Sequence, residues 1–173
     1  MRHILSSFLI AAFPALLLAQ GGAAAPALDH AAIVGIYDIA NTWDIETGGL
    51  AATKATRQDV KDYGAMLARD HKMVQQLGRD LATRLKVTPT PVPADFPLKV
   101  AHEDAMKKLK ALSGAAFDRA FLEHEVAYHK AVIDAINTTL KPAIRNAELK
   151  ALVDKVAPAF VAHMQAAEML LKK

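Results

Sequence analysis

The sequence predicts an all-α protein: an antiparallel four-helix bundle with a Pro-rich crossover and a short extra helix. Three observations carry this prediction. Alanine is abundant and β-branched runs are short, a composition that favours helix. Apolar residues recur every three to four positions along four long segments, the period of one helix face. Helix-breaking prolines concentrate in one stretch, "TPTPVPADFP" at 88–97, where a connection is then expected.

The chain opens with Met1-Arg2-His3, a nearly unbroken apolar run from Ile4 to Ala19, and the small residues Gly21-Gly22-Ala23-Ala24-Ala25. That order is expected of a secretory signal peptide over residues 1–25, cleaved between Gly22 and Ala25, and it implies a periplasmic or secreted protein. The apolar run is shorter than the roughly 20 residues of a spanning helix, and no later segment is apolar enough to serve as one. Residues 26–173 then form a single helical domain, long enough to bury its own core. There are no cysteines, which excludes a disulfide framework, a thiol nucleophile and any thiolate metal site. The net charge of +3 is too small to argue for nucleic acid, and Lys107, Lys108 and Lys110 read as a solvated helix face.

Helix A is expected from an Asp29 cap to about Thr53, with Ile33, Ile36, Ala40, Trp43, Thr47 and Ala51 inward. Thr56 followed by Asp59 resembles a capping box and starts helix B near Arg57. Its inward face is Val60, Gly64, Leu67, His71, Val74, Gly78, Leu81 and Leu85, ending near Lys86. A short helix, Leu98 to Leu112, follows the prolines, and Ser113 is a candidate cap for helix C. Helix C presents Asp118, Leu122, Val126, His129, Ile133, Ile136 and Leu140, and stops before Lys141-Pro142. Helix D, about Ala147 to Leu171, presents Leu149, Leu152, Val156, Phe160, His163, Ala167 and Leu170, with a bend expected at Pro158.

Sorting the histidines by face isolates three. His3 belongs to the leader, His30 to the first turn of helix A, His102 to the flank of the short helix, and His124 to the solvent side of helix C. His71, His129 and His163 each lie near the centre of an apolar stripe on a different helix. An up-down-up-down arrangement with the A–B and C–D turns at one end puts His71 about 22 Å, His129 about 21 Å and His163 about 30 Å from that end. Asp44 comes out at about 18 Å on the same 1.5 Å rise per residue. Buried imidazoles require partners, and a divalent cation satisfies several at once. The sequence therefore predicts one metal ion on His71, His129 and His163, with Asp44 or Glu46 completing the set. Asp70, Asp118 and Glu125 are expected to orient the rings, Glu125 from one turn before His129. Zinc is the default for such a thiolate-free set, and copper and iron are compatible with it. The methionines show no single stripe and read as packing.

Five blocks, "DIETGGLAATKA" (44–55), "YGAMLARDH" (63–71), "LSGAAFDRAF" (112–121), the histidine of "VAYHKA" (126–131) and "APAFVAHM" (157–164), resemble those of the bacterial exported domain of unknown function 4142. The resemblance covers about residues 30–170. It implies a ferritin-like four-helix bundle and places that family's characteristic polar positions on Asp44, Asp70, His71, Asp118, His129 and His163. Two departures stand out: Asp44 takes a position usually held by Glu, and Phe121 one often held by Tyr. The Glu-x-x-His element of ferritin-like di-iron sites is absent from the chain, which points to a mononuclear site.

Two functional classes follow from these residues. One is an exported metal-binding bundle that stores, senses or catalyses with its ion. The other is a non-catalytic envelope protein whose buried His/Asp cluster is a polar core network or a partner-binding device. A metal-free acid–base enzyme using Asp70 and His71 lacks a nucleophile.

Overall fold

The computed structural model describes residues 28–173; the expected signal peptide, with His3, lies outside the described residues. The elements are α1 (His30–Lys54), α2 (Gln58–Leu85), α3 (Pro97–Ala111), α4 (Gly114–Ala135), a π-helical turn (Ile136–Leu140), α5 (Lys141–Ala143) and α6 (Ala147–Leu171). Among the described residues there is no strand, and no helix is long and apolar enough to cross a membrane.

The helix starts show which side chains satisfy the free N–H groups that every helix leaves at its beginning. Asp29 accepts from Ala32 N at 2.7 Å to start α1, and Asn146 accepts from Leu149 N at 2.9 Å to start α6. At α2 the predicted Thr56–Asp59 box does not form. Instead Asp118 of α4 reaches across to accept from Thr56 N, Arg57 N and the Thr56 hydroxyl, at 2.8, 2.9 and 2.6 Å. Asp59 meanwhile holds the Arg57 guanidinium. Ser113 stands at the start of α4 without making a side-chain cap, and Gly114 takes the left-handed φ of +62° that this turn requires. Pro142 has no N–H to give to Thr138, and the chain before it widens into the π turn, Lys141 N reaching back to Ile136 O. Pro158 lies inside α6 without ending it.

Contacts between helices fix their directions. Tyr37 OH donates to Val74 O at 2.7 Å and Arg79 pairs with Asp38, so α1 and α2 run antiparallel. Arg57 bonds Leu170 O near one end of the α2–α6 pair and Arg84 pairs with Glu148 near the other, so these too are antiparallel. The Asp118–Thr56 bond puts the start of α4 at the same end as the start of α2. The up-down-up-down order is thereby corrected: α3 carries the chain back along the bundle, α4 runs parallel to α2, and the α1–α2 and α4–α6 connections lie at opposite ends. Toward the α1–α2 connection the two helices approach through glycines. A Cβ on Gly48 would lie 2.7 Å from Gly64 O, and one on Gly64 equally close to Gly48 O.

The core divides in two. One apolar cluster contains Ile33, Trp43, Val74, Val132, Val153 and Phe160; the other contains Val60, Leu67, Phe117, Phe121, Leu122 and Leu170. Where these sets meet along the four long helices come the buried polar residues Asn41, Asp44, Thr47, His71, Glu125, His129 and His163.

Candidate metal centre

Three of the four long helices bring one histidine each into this layer. His71 from α2, His129 from α4 and His163 from α6 are all buried, and one ring nitrogen of each lies within 4.8 Å of the others. Their ring centroids are 5.1 Å (His71–His163), 5.5 Å (His129–His163) and 5.6 Å (His71–His129) apart. The antiparallel α2–α6 pairing explains why they meet. Side chains lean toward the start of their own helix, so His71 and His163 lean toward each other.

In each ring one nitrogen is occupied and the other is free. Asn41 Nδ2 donates to Tyr37 O at 2.8 Å, which leaves Asn41 Oδ1 to accept from His71 Nδ1 at 2.9 Å. His129 Nδ1 donates to Glu125 O at 3.0 Å, and His163 Nε2 faces Asp70 Oδ2 at 3.4 Å. His71 Nε2, His129 Nε2 and His163 Nδ1 are left buried with lone pairs and no hydrogen-bond partner. An imidazole held by a donor bond on one nitrogen and presenting a bare lone pair on the other is the arrangement of a metal-ligating histidine.

The carboxylates divide differently from the sequence expectation. Asp44 is buried, with Oδ2 3.5 Å from His71 Nδ1 and Oδ1 4.0 Å from His129 Nε2. Glu125 is equally buried, with Oε2 3.4 Å from His129 Nδ1. Asp44, Glu125 and His129 form a second group, overlapping the first, whose ligand atoms lie within 4.8 Å of one another. Glu125 therefore belongs to the layer itself. Glu46 does not: it bonds His102 Nε2 at 2.9 Å beneath α3, so it is no substitute for Asp44. Asp118 is likewise corrected, since its partners are the α2 cap groups and not a ring. His124, expected in solvent, is half-buried against Tyr128, 5.8 Å between ring centroids, and His102 is buried on Trp43.

Burial dominates the electrostatics of the layer. Desolvation, then the neighbouring imidazoles, holds His71 down to about 2, and desolvation, then His163, holds His129 down to about 3. His163 is lowered as well, mainly by burial, against the pull of Asp70. Burial pushes Glu125 up to about 8 despite the hydrogen-bonding pull of Thr47 and Asp44. Burial and the Glu125 charge push Asp44 well above the usual carboxylate range. Three neutral imidazoles beside two carboxyls that resist ionising form a set that a divalent cation neutralises and satisfies together. Except for His102 Nδ1, every buried side-chain polar atom without a partner among the described residues lies in this layer, on Asp44, His71, Glu125, His129 and His163.

Asn41 escaped the sequence reading, and Thr47, expected inward, was given no part in the layer. An inward asparagine one turn before the Asp44 face was the available signal.

A family model described as Domain of unknown function (DUF4142) matches residues 16–170. No curated protein and no solved structure matches the chain.

Proposed function

The chain belongs to that family, and from its histidine layer we propose a protein that holds one divalent transition metal ion through His71, His129 and His163. Asp44 supplies the carboxylate and Glu125 supports the charge balance. The observation that carries this reading is the set of three unpartnered imidazole nitrogens on three helices, each ring pinned on its other side by an oxygen acceptor. A structural polar network would pair those atoms with one another or with protein donors; here they converge and stay bare.

The donor set suits zinc, and copper and iron accept the same atoms. We place the protein outside the cytoplasm, in the periplasm or secreted, on the strength of the leader-like first 25 residues. Mass analysis of protein from the producing cell would then show a chain starting between residues 22 and 26.

The deciding experiment strips the purified protein with chelator and titrates zinc, copper and iron while Tm is followed. At a thousandfold excess over Kd the bound ion should add about 4 kcal/mol of stability, and His71→Ala combined with His129→Ala should remove the shift. If none of the three metals raises Tm, the layer is a polar core network and the metal reading fails.

A further inference from the structure

A cavity of about 50 Å³ lies next to the histidine layer, walled by α1, α4, the π turn and α6. Its lining is almost wholly apolar, including Ile36, Val132, Ile136, Leu140 and Val153, with Leu98 of α3 over it. Two features create the space. Ala40 and Ala135 are small where neighbours along the same walls are branched, and the π turn at Ile136–Leu140 widens the end of α4 beside it.

Two wall residues belong to both places. Asn41 holds His71 Nδ1, and Phe160 lies edge-on to His71 at 5.3 Å and near His129 at 6.0 Å, centroid to centroid. A molecule in the cavity is thus one side chain away from the three bare nitrogens.

The size and lining select the occupant. Water needs two or more polar partners in such a space, and these walls offer almost none, so the cavity disfavours it. A sugar, nucleotide or peptide group is too large and too polar. We propose that this cavity binds a small apolar molecule of about the size of dioxygen, held beside the histidine layer. The binding step rests on the cavity alone and does not depend on which metal the layer holds, or on its holding one.

The test uses metal-free, chelated protein with labelled Ile, Leu and Val methyl groups, observed by NMR under raised oxygen pressure. Paramagnetic relaxation of the Val132 and Val153 methyls should increase several-fold more than that of Val60, Leu67 and Leu122. All five are buried, and the latter three belong to the other apolar cluster. Ala135→Leu, which fills the space, should remove the difference. Equal enhancement in the two clusters overturns the proposal, as does an enhancement that survives in folded Ala135→Leu. If that variant does not fold, the wild-type comparison still decides. Because no metal is present, a negative result here is separate from a failed metal titration.

Discussion

Two buried histidine–carboxylate arrangements sit a short distance apart on α1, and they are solved differently. Beneath α3, His102 stacks on Trp43 and gives Nε2 to Glu46, whose side chain is 51% exposed. Water solvates the carboxylate charge there, and among the described residues the only buried polar atom of the pair left without a partner is His102 Nδ1. In the central layer Asp44 and Glu125 are at most 1% exposed, three imidazoles face them, and no Lys or Arg enters. The same residue types thus make a solvated surface pair in one place and a charge-deficient cluster in the other. Exposure of the carboxylate, more than the presence of histidine, separates a solvated pair from the buried cluster proposed to hold a cation.

The contrast breaks first along the pH axis. Glu125 loses its proton near 4.5 in the unfolded chain and near 8 in the folded one, so above 4.5 the folded state carries the extra proton and stability falls as pH rises toward 8. His71 and His129, depressed to about 2 and 3, act oppositely, but only below about 6.5, where the unfolded chain takes up their protons. Between pH 6.5 and 8 the chelated protein should therefore lose stability by on the order of 1 kcal/mol per pH unit. Metal-loaded protein should not show that slope, because the ion replaces the protons. Thermal melts of both forms across this window check it; a flat profile for the chelated form breaks the contrast.

A smaller effect sharpens it at Asn41. Asn41→Ala frees His71 Nδ1 without touching a proposed ligand, and should weaken metal binding roughly 10- to 100-fold. His102→Gln should leave the affinity unchanged. Competition titrations against a chromophoric chelator measure both, and an equal loss in the two variants would erase the distinction between the regions.

The smallest effect concerns Asp118. Removing the carboxylate that caps α2 by Asp118→Ala should cost about 1–2 kcal/mol in denaturant unfolding while metal affinity stays as in the wild type. A drop in affinity matching that of Asn41→Ala would return Asp118 to the site.

Much of this architecture was legible because long amphipathic helices repeat their signal many times over. Asp29 and Ala147 stand where they were expected, and most of the predicted inward residues are buried, while Val126, Ile133 and Leu152 are only half-buried beside the buried Glu125, Val132 and Val153. What escaped was relational. A stripe of apolar residues says which way a helix faces but not which end is up, so the return of the chain through α3 was invisible and the order of directions came out wrong. The three histidines still coincide because each lies near the middle of its helix, where the choice of end matters least. Asp118 shares the face of His129, yet about 16 Å of helix rise separates them, enough to rule it out as a ring partner. Glu46 lies two residues beyond Asp44, a rotation of about 200° that turns it to the opposite side of α1. The inward position of Asn41 was readable, but its role was not, since only the bond to the Tyr37 carbonyl fixes which end of the amide faces the ring.

The return run of α3 also governs when the centre can exist. The proposed ligands come from two hairpins: α1–α2 brings Asp44 and His71, α4–α6 brings His129 and His163, and the two meet only after α3 has carried the chain back along the bundle. Closing such distant segments is the slow part of assembly. Coordination at the proposed centre would then be a late milestone, scoring molecules that have finished docking and ignoring those still on the way.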